Sequence, residues 1–246
     1  MVDNTLCGNS YGVIMPNNIG TVQLRRGTHG TGCPKIRGGN YTVAVYGLVS
    51  GSPSGTPKGL SVDDIAIHNI RGDVVLGDDT GLIANSAFVY YIDITSITGN
   101  GVNTVDANAL SYMTKLSSVS FPNATRFNDN AFKGDNRLNE ASFPRATYIG
   151  ANCFSNCNYL KRINLPLVSS VGGSPFYNCN DLNKIELPSL SGQAAGEFSR
   201  GCSTLVYADL GNCTAITTNG VTSRVIEALV LRRTSAITAL SVAGGI

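Results

Sequence analysis

The phrase Leu160-Lys-Arg-Ile163-Asn-Leu165-Pro166 decides the fold, because it recurs along the chain at a nearly constant interval. Related phrases begin at Leu116, Leu138, Leu182 and Leu205. A second ladder keeps the same interval through Leu110, Phe132, Phe154, Phe176 and Phe198. The shared step is about 22 residues, and two ladders with one period indicate a repeat protein in which each repeat stacks on its neighbours.

Each phrase has the properties of a short strand followed by a stop. Ile163 and Leu165 are separated by one residue, so both point to one face of a strand. Pro166 ends the pairing, because proline has no N–H to donate to a neighbouring strand. We therefore predict a β-rich solenoid with a parallel sheet, irregular or short helical return segments, and the Phe ladder buried in its core.

The repeat is less regular upstream of Leu116. Val89–Ile94 fits the strand phrase but begins earlier than one repeat before Leu116, so we expect five extra residues to bulge at Gly99–Asn103. Gly72–Leu76 and Leu60–Ile65 resemble a degenerate first coil.

Composition separates the chain into two predicted parts. Ile226–Leu231 is predicted to be the last strand of a leucine-rich repeat domain of about six coils, residues 60–246. Residues 1–59 are predicted to form a small Gly-rich, all-β domain, because the β-prone runs Thr21–Leu24 and Tyr41–Tyr46 are separated by turn residues.

The repeats resemble the BspA-type leucine-rich repeats. Asn152–Pro166 and Phe176–Pro188 match that consensus best, and the resemblance covers about residues 85–240. Members of the family are mainly surface adhesins of anaerobic bacteria and protists, and structural proteins of virions or prophages. No catalytic motif accompanies the repeat, so the resemblance implies a binding or architectural role.

Charge and hydropathy exclude several other classes of protein. The net charge is only +2, and the basic residues are scattered, so the sequence does not predict a nucleic-acid partner. No apolar tract approaches the length of a membrane span. Met1–Gly8 has neither the positive nor the apolar region of a signal peptide.

The cysteines are interpreted as buried thiols. There are seven, no CxxC pair is present, and His29 and His68 lie far apart, so neither a metal nor a cofactor is predicted. A disulfide or metal ladder is the alternative for the three cysteines that recur in one turn of the repeat, Cys157, Cys179 and Cys202. Cys153 is close enough in sequence to meet Cys157, and Cys7 with Cys33 is the strongest candidate for a disulfide.

No catalytic residue is predicted. The Gly-rich segment Gly27–Cys33 lacks the frame of a phosphate-binding loop, and His29 has no partner in a nucleophile motif. Arg71–Asp73 has the sequence of an integrin-binding tripeptide, but such short motifs recur often by chance.

The polar positions of the strand phrases predict a binding face. Residues between the apolar positions should point away from the core and form two columns on the exposed side of the sheet. Solvation alone is the alternative role for this face. The ten positions are Ser118, Ser120, Glu140, Ser142, Arg162, Asn164, Lys184, Glu186, Tyr207 and Asp209.

These observations lead to a functional hypothesis. We expect a non-enzymatic virion structural or receptor-binding protein, such as a component of a phage tail, baseplate or head surface. A bacterial cell-surface or secreted adhesin is the alternative. The expected partners are other virion proteins, copies of itself through residues 226–246, or a host surface protein or glycan.

Overall fold

The computed structural model shows a parallel β-solenoid. It describes residues 72–76, 78, 80–194, 197–216 and 227–232, together with the backbone of short strands at 13–14, 21–25, 36–37, 42–46 and 236–237. Within these ranges the chain forms strands and turns, and no helix. The return segments are therefore irregular, which is the first of the two forms that we predicted.

One strand in each coil belongs to the main sheet. Its residues alternate between the core and the solvent, since successive side chains of a strand point to opposite faces. These main strands are β5 (Gly72–Leu76), β7 (Ile94–Thr98), β9 (Ser118–Ser120), β11 (Glu140–Ser142), β13 (Arg162–Asn164), β15 (Lys184–Glu186), β17 (Tyr207–Asp209) and β19 (Ala228–Val230). They pair in parallel from β5 to β9 and from β11 to β19, and β9 lies beside β11.

A second, shorter strand follows each main strand. These second strands are β6 (Leu82–Ile83), β8 (Thr104–Val105), β10 (Arg126–Phe127), β12 (Tyr148–Ile149), β14 (Ser170–Val171), β16 (Gln193–Ala194), β18 (Ala215–Ile216) and β20 (Ala236–Ile237). They pair in parallel from β6 to β14 and from β16 to β20.

The third side of each coil is a turn that holds the Phe ladder. Backbone N–H groups of Asn130, Phe132 and Gly134 donate to carbonyls of the next coil at 2.8, 2.8 and 2.9 Å. Asn130 has a φ of 57° and Gly134 a φ of 80°. These left-handed conformations suit asparagine and glycine, which explains why the turns are rich in both.

Among the described residues, one continuous core runs through the coils from Val74 to Ile216. Phe132, Phe154 and Phe176 are fully buried, as predicted. Their rings stack, with centroids 5.1 Å apart for Phe132 and Phe154 and 5.9 Å apart for Phe154 and Phe176. The Leu ladder from Leu116 to Leu205 is buried beside them. Each coil therefore closes its apolar face against its neighbours.

The expectation for residues 89–103 is wrong. The main strand is Ile94–Thr98, and Tyr90 adopts a φ of 62° within the preceding turn. Ile94 lies one full repeat before Leu116, and Phe88 lies one full repeat before Leu110. The period therefore continues unbroken, and Gly99–Asn103 holds no additional residues. Val89–Ile94 resembles a strand only because its turn residues are also apolar and aromatic.

Strands at both ends of the chain agree with the prediction. β2 (Thr21–Arg25) and β4 (Thr42–Tyr46) form where β-prone runs were identified, and β19 lies within Ile226–Leu231. β1 (Val13–Ile14) and β3 (Ile36–Arg37) pair with each other in parallel. β2 pairs with β4, and β4 with β5, so these strands join the main sheet.

Several predictions fall outside the described residues. The boundary near residue 59 and the separate all-β domain stay predictions. The same holds for Leu60–Ile65, for the pairing of Cys7 with Cys33, and for self-assembly through residues 226–246, of which only 227–232 and the backbone of 236–237 are described.

Candidate binding face

The main sheet presents the predicted columns of polar side chains. Eight of the ten predicted residues are exposed, because the middle residue of each strand points inward while its two neighbours point out. In β13, for example, Ile163 is 5% exposed and lies between exposed Arg162 and Asn164. Backbone register aligns Glu140 with Arg162, and Arg162 with Lys184.

The middle of this face is grooved and carries the cations Arg162 and Lys184, with the acids Glu140 and Glu186 at neighbouring positions. Arg162 and Lys184 occupy neighbouring positions on β13 and β15, where two like charges oppose each other. A shallow groove of about 420 Å³ lies between them, lined also by Asn164, Asn183 and Glu186. We call this part of the main sheet the central groove.

Neighbouring groups partly balance that charge. Lys184 Nζ lies 2.9 Å from a carboxylate oxygen of Glu186 and 5.2 Å from the centre of the Tyr207 ring. Asn164 Nδ2 donates to Ser142 Oγ at 3.3 Å. Arg162 forms no ion pair within the part of the chain that the structure describes. Its guanidinium is therefore the free cation among the described residues of the central groove.

Asp209 differs from the exposed position that the sequence suggests. Its side chain is only 8% exposed, because Arg232 from the next coil covers it. Arg232 donates to both carboxylate oxygens, at 2.8 and 2.5 Å. The hydrogen bond to Asp209 raises the pKa of Arg232. Asp209 thus joins two coils, and Tyr207 is half-buried, so the accessible face ends near β15.

Residues 72 and 73 of the tripeptide Arg71–Asp73 lie in β5. The Asp73 carboxylate accepts hydrogen bonds from the hydroxyls of Thr95 and Ser96, at 2.9 and 2.6 Å. Its oxygen therefore stabilises the contact between β5 and β7.

The recurring cysteines are buried, as predicted. Cys157, Cys179 and Cys202 are free thiols. Each Sγ donates to a Phe carbonyl of the preceding coil, at 3.1, 3.0 and 3.1 Å. Burial raises the pKa of Cys157 and of Cys179 well above the ordinary value. Cys153 is also free and buried, so it forms no bond with Cys157.

One buried carboxyl occupies the same column as these thiols. Asp135 lies one repeat before Cys157 and is fully buried. Its Oδ1 accepts the Met113 N–H at 2.8 Å, whereas Oδ2 has no hydrogen-bond partner. Burial raises the pKa of Asp135 well above its ordinary value. The sequence offered the signal, since Asp135 shares the repeat position of Met113 and Cys157, but a carboxylate there was not anticipated.

Sequence reasoning also missed two surface features. Tyr90 and Tyr112 lie one repeat apart and stack with ring centroids 5.0 Å apart, and Tyr90 is 66% exposed. A second groove, of about 580 Å³, lies beside the main sheet and includes Arg137 and Tyr159. The shared period could have identified the Tyr pair, but the groove depends on neighbouring coils.

Neither a metal cluster nor a membrane helix occurs in the described ranges. No group of three or more His, Cys, Asp or Glu side chains there is placed to hold a metal ion. In the same part of the chain, no helix has the length and apolar character needed to cross a bilayer.

Comparison with known proteins identifies the repeat. A solved leucine-rich cell surface protein from Faecalibacterium prausnitzii shares 15% identity over 83% of this chain and 79% of that chain, with a TM-score of 0.29. A likeness of that size supports no statement about function. No curated protein matches the sequence. The family model of the BspA type leucine rich repeat region matches this chain in six copies, over residues 81–206 and 125–228. The chain belongs to the BspA-type leucine-rich repeat family.

Proposed function

We propose that the chain is a non-catalytic binding module that docks a protein partner on its main sheet. The observation that carries this proposal is the exposed pair of columns over β9 to β15, held in register by a continuous buried core. Repeat proteins use extended surfaces of this kind for binding. Because the side chains stand on paired strands, little of their backbone needs to be ordered when a partner binds.

The central groove supplies the chemistry for recognition. Arg162 and Lys184 place two cations on adjacent strands, and Asn164 adds an amide that both donates and accepts. Arg162 has no ion-pair partner among the described residues, so its guanidinium could donate two parallel hydrogen bonds to a carboxylate of the partner. We therefore expect a partner with an acidic surface.

We further propose that the module is part of a virion, as a tail, baseplate or head-surface component. The thiols support it: five described cysteines are free and buried. Unpaired buried thiols suit a protein that folds in a reducing cytoplasm and is released by lysis. A bacterial surface adhesin is the alternative placement, and it is supported by family membership.

Binding to cells tests the proposal. Fluorescent chain is applied to intact bacteria, and the variant Arg162→Ala/Lys184→Ala is compared with Arg126→Ala/Arg145→Ala. The second variant also removes two positive charges, but from positions outside the main strands. We expect the first variant to bind about tenfold less and the second to bind as the parent does. Equal binding by both variants would contradict the sheet-face site.

Immunogold labelling tests the placement separately. An antibody against the chain is applied to purified phage particles and to intact bacterial cells. Label on particles supports the virion placement, and label confined to cells supports the adhesin. Neither result tests the sheet-face proposal, which is tested by the binding experiment.

A further inference from the structure

The second groove lies at the edge of the main sheet, where the turns lead into the strands. It has a volume of about 580 Å³, and its seven lining residues come from three successive coils: Thr114, Ser117, Asn136, Arg137, Asn139, Tyr159 and Lys161. Since neighbouring strands lie about 4.8 Å apart, the groove extends roughly 10 Å along the solenoid axis. We call it the edge groove. None of its residues belongs to the predicted binding face.

The edge groove carries positive charge that the described residues leave unbalanced. Arg137 and Lys161 line it, and no lining residue is acidic. Neither cation forms an ion pair in the described ranges. The preceding coil behaves differently, because Lys115, at the repeat position of Arg137, is paired with Asp93 at 2.8 Å. The edge groove therefore holds two unpaired cations, whereas the matching position of the preceding coil is neutralised.

The remaining lining is polar, with one exposed aromatic ring. Tyr159 is 60% exposed although it is a large aromatic residue. Asn136 and Asn139 supply amides, and Thr114 and Ser117 supply hydroxyls, which all donate and accept hydrogen bonds. Protein partners usually fill pockets with apolar anchors, and no aliphatic side chain lines this groove.

These properties together fit a carbohydrate with carboxylate groups. A flat ring such as Tyr159 packs against the C–H face of a sugar while its hydroxyl stays in water. The amides and hydroxyls match sugar hydroxyls. Arg137 can bind a carboxylate through two parallel N–H groups, and Lys161 adds a second positive charge.

We propose that the edge groove binds a uronate-containing polysaccharide. The inference goes beyond the proposed function, because it concerns a different surface and a different class of ligand. A binding module with both sites could hold a protein on its sheet and an acidic polysaccharide at its edge.

Calorimetry with defined oligosaccharides tests the inference. The full chain is titrated with trigalacturonic acid, with the neutral trisaccharide maltotriose, and with triglutamate as an acidic peptide. We expect trigalacturonic acid to bind about tenfold more tightly than maltotriose, because the carboxylates engage Arg137 and Lys161. Triglutamate should bind more weakly than trigalacturonic acid, because it offers no sugar face to Tyr159.

Variants separate the contributions of the ring and the charge. Tyr159→Ala and Arg137→Ala should each weaken trigalacturonic acid binding about tenfold, whereas Tyr159→Phe should keep it because the ring remains. Arg145→Ala removes a cation outside the edge groove and should leave binding unchanged. The three side chains are exposed, and circular dichroism verifies that each variant folds.

Three outcomes would overturn the inference. No binding of trigalacturonic acid excludes the ligand class, and equal binding of maltotriose removes the role of charge. Equal binding of triglutamate, unaffected by Tyr159→Ala, would assign the groove to an acidic peptide. Because the edge groove could also hold the chain on cells, the cell-binding comparison of Arg162→Ala/Lys184→Ala is made with excess trigalacturonic acid present, and it then reports the main sheet alone.

Discussion

The buried carboxyl of Asp135 gives a direct test of the core. Asp135→Asn keeps the shape of the side chain and an acceptor for the Met113 N–H, but it cannot ionise. Because burial raises the folded-state pKa of Asp135, the folded chain holds a proton that the unfolded chain loses above about pH 3.9. The wild-type protein therefore loses stability as the pH rises from the unfolded pKa to the folded pKa, and Asp135→Asn does not.

The structure sets the size of the effect. Each unit by which the folded pKa exceeds the unfolded pKa removes about 1.4 kcal/mol above the folded pKa. A buried polar atom without a partner, such as Asp135 Oδ2, costs a further 1–3 kcal/mol or so, part of which the amide retains. We expect Asp135→Asn to stabilise the protein by about 1–3 kcal/mol at pH 7 and by much less near pH 3.5.

Urea denaturation at both pH values measures the difference in free energy of unfolding. Glu140→Gln is the matched control, because it makes the same acid-to-amide change at an exposed position of β11. Its stability should follow that of the parent at both pH values. A stabilisation by Asp135→Asn that is equal at both pH values, or a loss of stability at pH 7, would refute the assignment of a neutral buried acid.

Three further predictions concern packing. Phe154→Ala should lower the free energy of unfolding by about 3–5 kcal/mol, because it opens a cavity in a fully buried ring stack, and a loss below about 1 kcal/mol in urea denaturation would contradict that packing. Gly150→Ala should lower the free energy of unfolding by about 1–3 kcal/mol, because a Cβ there would lie 2.5 Å from the backbone of Asn128. A Cβ at Gly173 would meet nothing within 4 Å, so Gly173→Ala should leave the free energy of unfolding nearly unchanged in the same assay. In the folded protein the thiols of Cys157, Cys179 and Cys202 should resist a reagent that labels them fully in urea, and rapid native-state labelling of these three, located by peptide mapping, would contradict their burial.

The sequence determines much of the fold because its period is regular. The nearly constant steps of the Leu and Phe ladders correctly place the large buried side chains from Leu116 to Leu205. The prediction failed at Val89–Ile94, where aromatic turn residues imitate a strand. The same ladders pass through Phe88 and Ile94 and would have corrected it.

The candidate site could be predicted only in part. Strand alternation placed the columns on β9 to β15, because outward positions follow from the inward ones. It could not show that Asp209 is covered, since Arg232 reaches it from a neighbouring coil. The edge groove could not be predicted for the same reason, because Arg137 and Tyr159 become neighbours only when coils stack.

Site-specific crosslinking tests directly whether the main sheet is the binding surface. Photoreactive benzoylphenylalanine is placed either at Asn164, on the main sheet, or at Ser170, an exposed position on the second sheet. Each labelled protein is irradiated on bacterial cells that bind the parent chain. We expect a discrete crosslinked product from position 164 and none from position 170. A product from position 170 alone would contradict this expectation.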